Sequence, residues 1–317
     1  MTELERLDQA AELVYAVMAP TPQHRWPLLC ERAGCEVWVK HENHTPIGSF
    51  KVRGGIRYMA ALKAAEPGVE GVLAATRGNH GQSVAFAARR AGLTAVVVVP
   101  HGNSVEKNAA MRAFGAEIVE HGHDFQAAYE HAGGLAAARG LHMVESFHPW
   151  LVEGVASYGL ELLRALPELD AVYVPIGLGS GICATIAARD ALGLATKVIG
   201  VVSENAAAYA LSFEARRPVS TPTAETFADG VACRVPDLAA LEIICRGAER
   251  VVTVSEAEIM AAVRHIFTDT HNLAEGAGAA PLAALIKERR AMAGKKVGLI
   301  LTGGIIDRPL YARLLAD

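Results

Sequence analysis

Apolar positions along the chain change period several times. Leu4, Leu7, Ala11, Val14 and Met18 recur at helical spacing behind Thr2 and Glu5, which together form a capping-box pattern. This predicts an N-terminal amphipathic helix that ends at Ala19-Pro20-Thr21-Pro22, and residues 36–40 then read as a strand. From about residue 70 a strict alternation begins. Apolar, β-rich runs at 71–76, 94–100, 116–121 and 141–146 are separated by helical patterns at 82–91, 105–114 and 125–139. Helix 152–165, strand 171–176, a glycine-rich turn, helix 182–191 and strand 197–203 continue it. Residues 204–248, interrupted by Pro218, Pro222 and Pro236, hold neither period and read as irregular chain near a cleft. Strand 250–254, helices 256–270 and 280–290, strand 296–302 and a last helix complete the pattern.

Strands alternating with helices across short turns predict parallel sheets with helices on both faces. The expected architecture is α/β with two subdomains: a larger one from 1–69 and 147–317, and a smaller one, 70–146, inserted into it. Ligands favour the carboxyl ends of parallel strands and the interface between such units, so a cleft is expected there.

Composition narrows the function classes. At 317 residues with a formal net charge of −4, the chain has a large core and no basic excess for nucleic acid or a membrane surface. No apolar run reaches the ~18 residues of a membrane span. The N-terminus, Met1-Thr2-Glu3-Leu4-Glu5-Arg6, is acidic and amphipathic, unlike a signal or transit peptide. Cys30, Cys35, Cys183, Cys233 and Cys245 form no Cys-x-x-Cys pair, which points to a reducing cytoplasm rather than a disulfide framework or zinc site. His121, His123 and His131 are spaced poorly for a preformed metal site.

Four stretches carry candidate chemistry. Lys51 follows a turn rich in Pro, Gly and Ser (His44 through Phe50) and precedes a helical pattern. Held in a desolvated pocket, its amine becomes a nucleophile; as a surface side chain it does nothing, and the segment alone leaves both readings open. Gly177-Leu178-Gly179-Ser180-Gly181 joins a strand to a helix, where backbone N–H groups and the helix dipole suit a phosphate, or simply a tight turn. Gly177-x-Gly179 with Glu204 after the next strand is part of a dinucleotide fingerprint, but Ile182 stands at the third glycine position. Thr76-Arg77-Gly78-Asn79-His80-Gly81-Gln82 has the same placement and suits a carboxylate. Thr302 closes a strand with a hydroxyl aimed at the same presumed cleft.

Together these segments resemble the fold-type II (tryptophan synthase β-like) pyridoxal-phosphate enzymes, specifically the threonine/serine dehydratase and serine racemase family. Thr45 through Gly54, Gly78-Asn79-His80-Gly81-Gln82, the 177–181 loop, Ala228-Asp229-Gly230-Val231, Glu275-Gly276-Ala277-Gly278-Ala279 and Thr302-Gly303-Gly304 carry the resemblance, in order, over nearly the whole chain. It implies pyridoxal 5′-phosphate as cofactor, with Lys51 holding it as a Schiff base and later acting as base on the substrate α-proton. Gly177, Leu178, Gly179, Ser180 and Gly181 would bind its phosphate, Asn79 its 3′-hydroxyl and Thr302 its pyridine nitrogen, with Phe50 and Glu275 beside it. Ser49, Thr76, Arg77, Gly78, Asn79, His80 and Cys233 would face the substrate. The implied reaction is dehydration of a β-hydroxy-α-amino acid (threonine, serine or a relative such as 3-hydroxyaspartate) to a 2-oxo acid and ammonia, by a homodimer.

Three departures from the family pattern matter. Arg77 stands where the racemases carry a proton-shuttling serine; always charged, it is a poor shuttle, which disfavours racemisation. It either forks onto a second anionic group of the substrate or turns outward into a salt bridge. Val202 and Ala208 occupy positions where cation-binding members carry acids, with Glu204 out of register, so no metal is expected. Residues 153–159 and Cys233 replace segments expected near the β-substituent, which implies an altered side-chain pocket. An NAD-type oxidoreductase and a non-catalytic binding protein are the alternative classes.

Overall fold

The computed structural model describes residues 1–316. Helix α1 (Glu3–Tyr15) has the expected capping box: the Glu5 N–H donates to the Thr2 hydroxyl, and the Thr2 N–H donates to the Glu5 carboxylate. Strand β1 (Gln23–Arg25), helix α2 (Pro27–Ala33), strand β2 (Glu36–His41) and helix α3 (Lys51–Ala65) follow.

The first sheet forms from the alternation that starts near residue 70. Its elements are β3 (Gly71–Ala75), α4 (Asn79–Arg90), β4 (Thr94–Val99), α5 (Val105–Ala113), β5 (Glu117–Glu120), α6 (Phe125–Arg139) and β6 (His142–Met143). The strand order is β5-β4-β3-β6, and every pairing is parallel.

After α7 (Pro149–Ala165) come β7 (Ala171–Pro175), α8 (Ser180–Ala191), β8 (Lys197–Ser203), α9 (Ala208–Ala215) and α10 (Leu238–Gly247). Then β9 (Arg250–Val254), α11 (Glu256–Thr270), α12 (Gly276–Lys287), β10 (Lys296–Leu301) and α13 (Arg308–Ala316) end the described chain. The second sheet has order β1-β2-β10-β7-β8-β9, parallel except for the β1–β2 pair. β7 is buried along its whole length, as an apolar run in a sheet covered on both faces must be. Val172 and Val174, fully buried there, each contribute on the order of 1.5–3 kcal/mol. The α/β architecture with two mainly parallel sheets is thus the one the alternation predicts.

The differences are local. Helix α3 starts at Lys51 itself and α4 at Asn79, so both residues sit in first turns rather than in the preceding loops. Strand β6 is only two residues long: after the Val144 N–H donates to the Leu73 carbonyl, the chain leaves the sheet edge for α7. Residues 204–248 contain α9 and α10, which the prolines between and around them obscure.

One buried ion network ties α3 to the rest. The Arg53 guanidinium forks onto Glu42 (2.7 and 2.9 Å) and onto Glu161 (2.6 and 3.0 Å), and Lys40 meets Glu161 at 2.6 Å. Two cations and two carboxylates leave it neutral, so neither sign is stranded without water. It fixes the start of α3 against β2 and α7.

Candidate active site

The turn before Lys51 is pinned at both ends. Ser49 and Gly303 form a β-bridge, and the Phe50 N–H donates to the Thr302 carbonyl at 3.0 Å, so the start of α3 is tied to the end of β10. Gly48 is left-handed (φ 69°) with Ile305 packed against it. From α3 the Lys51 side chain enters a cleft where strand ends of the two sheets converge. Its Nζ donates to Ser180 Oγ at 3.1 Å and lies 5.0 Å from the Phe50 ring centre. Burial pulls its pKa down to about 8, against the opposing pull of the Glu275 carboxylate. Lys51 therefore lies in the cleft rather than on the open surface.

Opposite the lysine, residues 177–181 wrap into the N-terminus of α8 and line the cleft. A side chain at Gly177 would collide with the Gly230 carbonyl; Gly179 has φ 101°, and a side chain there would come within 2.7 Å of Ala240 Cβ. The loop is glycine because backbone must approach backbone, which leaves its N–H groups open to an anion.

The second helix start, α4, forms the facing wall. The Thr76 hydroxyl accepts from the Gly78 N–H at 3.0 Å, and the alkyl stem of Lys107 packs where a Gly78 side chain would sit. Asn79 Nδ2 donates to Glu275 Oε1 at 2.8 Å, while Asn79 Oδ1 and His80 Nε2 are buried without a protein partner. Burial, then the nearby Lys51, lowers the His80 pKa to about 3, so its imidazole is neutral. Burial raises the Glu275 carboxyl to about 7, with Lys107 and Asn79 opposing. Thr302 lines the cleft at the end of β10.

Phe50, Lys51, Thr76, Arg77, Gly78, Asn79 and His80 thus meet residues 177–181, Glu275 and Thr302 in one cleft. Two expected side chains do not line it. Cys233 donates its thiol to the Val235 carbonyl at 3.2 Å, and burial pushes its pKa up to about 12. Ser49 is fully buried behind Gly303, its hydroxyl unpaired. Nor does segment 153–159 reach the cleft: Glu153 is held by Arg57 at 2.8 Å. Glu204, the acid of the dinucleotide reading, is exposed beyond β8.

Sequence reasoning missed Lys107 and Asp229. Lys107 crosses from α5 to Asp229 at 2.8 Å, and Arg77 approaches the other Asp229 oxygen at 3.6 Å. The signal for Asp229 was present in the matched Ala228-Asp229-Gly230-Val231 segment. Lys107 carries none, since a lysine in Val105-Glu106-Lys107-Asn108 reads as a solvent-facing helix position.

The pocket fits pyridoxal phosphate. One end offers open glycine-loop amides for a phosphate, the middle a single pKa-depressed amine for an aldehyde, and the wall an unpaired Asn79 oxygen for a hydroxyl.

The comparisons agree with this geometry. The model of the pyridoxal-phosphate dependent enzyme family matches residues 14–303. An L-threonine ammonia-lyase of Thermotoga maritima is 33% identical over 99% of this chain and 78% of its own length. A biosynthetic L-threonine dehydratase of Pasteurella multocida is 36% identical over 93% of this chain, which spans only 58% of that relative. Processed threonine deaminase isoform 2 from Solanum lycopersicum has a TM-score of 0.91 at 29% identity, over 99% of this chain and 93% of that one. A pyridoxal 5′-phosphate-dependent aspartate racemase has a TM-score of 0.90, also at 29% identity, over 96% and 95%. Among the described residues no helix is long and apolar enough to cross a membrane. With the match running from α1 to the turn after β10, the chain belongs to the pyridoxal-phosphate-dependent enzymes.

Proposed function

We propose that this chain is a pyridoxal-phosphate-dependent ammonia-lyase that eliminates water from a β-hydroxy-α-amino acid to give a 2-oxo acid and ammonia. The observation that carries the reading is the Lys51 amine, lowered to about 8 and facing both helix N-termini across one cleft. Bound there, the cofactor supplies an electron sink that acidifies the α-proton of an amino acid. Lys51 would hold the cofactor and, once the substrate amine had replaced it there, its freed amine would be placed to take the α-proton at Nζ. Residues 177–181 would hold the phosphate, Asn79 the 3′-hydroxyl and Thr302 the pyridine nitrogen. A neutral threonine hydroxyl there leaves that nitrogen unprotonated and favours prompt loss of the β-hydroxyl. Thr76, Gly78, Asn79 and His80 take the α-carboxylate at the start of α4, and the neutral His80 adds no competing charge.

The names of the relatives, threonine ammonia-lyase and threonine dehydratase, support this reaction class. The substrate is serine, threonine or a β-substituted relative such as 3-hydroxyaspartate. Arg77, a charged guanidinium on the α4 wall, argues against racemisation as the main outcome. The reading also takes residues 70–146 as an inserted unit against 1–69 and 147–317, in a cytoplasmic homodimer; the separate four-stranded sheet supports the division.

A 2-oxo acid release screen over the threo and erythro isomers of β-hydroxy-α-amino acids tests the reaction. Stoichiometric 2-oxo acid and ammonia are expected from at least one. A fully cofactor-loaded protein that releases neither from any member of the screen contradicts the reading.

A further inference from the structure

We propose that Arg77 is a hook for a second carboxylate, so that the preferred substrates are β-hydroxy-α-amino dicarboxylates. This deepens the lyase reading and rests on it for the reaction, though not for the binding.

The first observation is an arginine without a close partner. Arg32, Arg53, Arg164 and Arg250 each hold a carboxylate at 2.6–2.7 Å. Arg77 makes no hydrogen bond to the described residues; its nearest carboxylate oxygen, on Asp229, is 3.6 Å away. That distance is too long for a charge-assisted hydrogen bond.

The second observation is that Asp229 is already neutralised. Its other oxygen takes the Lys107 ammonium at 2.8 Å, and Lys107 is 7% exposed, so this is the dominant pair of the cluster. Arg77 is left sharing that carboxylate at 3.6 Å, half-exposed, with its guanidinium donors free of any hydrogen bond to the described residues, on the wall of the cleft. The guanidinium fork matches a carboxylate in geometry as well as charge.

The third observation is position. Arg77 lies between Thr76 and Gly78, in the turn whose following N–H groups open α4 toward an α-carboxylate. An amino acid whose α-carboxylate sits on that turn carries its β-substituent into the remaining cleft. With Lys51 committed to the cofactor, Arg77 and Lys107 there face Asp229 and Glu275, and Glu275 is raised to about 7, so these four groups are net cationic below that pH. A β-carboxylate satisfies Arg77, whereas the methyl of threonine or the hydrogen of serine leaves its donors to water. Arg77 is thus a specificity residue, acting on the substrate's far end.

The test uses the cofactor-loaded protein and two measurements. The first is kcat/KM for 3-hydroxyaspartate and for serine, in wild type, Arg77→Ala and Arg77→Lys. Wild type is expected to favour the dicarboxylate. Arg77→Ala should lower the 3-hydroxyaspartate to serine ratio on the order of 10- to 100-fold, the worth of one charged hydrogen-bond pair, with Arg77→Lys in between. The second is calorimetric binding of succinate against butyrate, in which wild type should prefer succinate and Arg77→Ala should not. An unchanged ratio overturns the proposal, as does an equal fall for both substrates, which would put Arg77 on the shared α-carboxylate. If neither amino acid is turned over, the dicarboxylate preference is overturned as a substrate preference, the wider 2-oxo acid screen decides the lyase reading separately, and the succinate preference still decides whether Arg77 binds a second carboxylate.

Discussion

The Lys51 ammonium donates to Ser180 Oγ at 3.1 Å, joining the first residue of α3 to the first residue of α8. The amine that would hold the cofactor aldehyde and the loop that would hold its phosphate are therefore in register before any ligand enters. Ser180 is 2% exposed, so its hydroxyl has little water to turn to. Ser180→Ala removes one donor to a bound phosphate. Cofactor affinity should fall on the order of 10-fold, the effect of one hydrogen bond to a charged group. Titrating the cofactor's visible absorbance into the variant measures it; an unchanged affinity places the phosphate elsewhere.

The lowered pKa of Lys51 sets how fast cofactor is captured. Only the neutral amine attacks an aldehyde, so the capture rate should rise with pH up to about 8 and then level off. An inflection at the ordinary lysine value of 10.5 would contradict the desolvated setting. The Glu275 carboxylate holds the Lys51 pKa up, so Glu275→Gln should move the inflection lower.

Glu275 also makes a stability prediction with a definite sign. Its pKa rises from 4.5 to about 7 on folding, so between those values the native state binds more protons than the unfolded one. Its contribution is present below pH 4.5 and lost as pH climbs through about 7. In cofactor-free protein, wild type should therefore lose up to roughly 3 kcal/mol relative to Glu275→Gln over that interval. Urea unfolding at both ends measures the difference, and a constant gap would show that Glu275 titrates normally.

How far the sequence reveals this molecule depends on the range of the interaction involved. The alternation of β3 through α6 is a local periodicity, and it yields the parallel sheet with element ends displaced by a few residues. The glycine loop is legible because it needs φ values and close approaches that only glycine allows, as Gly179 illustrates. Lys107 is not legible: its role depends on Asp229, 122 positions away, and on the bare backbone of Gly78. Cys233 errs in the other direction, since its neighbours in sequence fit the cleft but its thiol turns back to Val235. Helices α9 and α10 are short segments separated by a proline-bearing stretch, whose turn signals obscure both, and α9 has little amphipathic period of its own.

On the proposed reading Lys51, and no other amine, holds the cofactor. Lys107 lines the same cleft, which makes it the natural rival. Its pKa, however, is raised: burial lowers it, but Asp229 and Glu275 more than offset that, so its amine stays protonated. Borohydride makes the cofactor's link to its lysine irreversible, and peptide mapping then locates it. One labelled peptide, spanning Lys51, is expected, with no label in Lys51→Ala. Label on Lys107, or label that survives in Lys51→Ala, would contradict that reading.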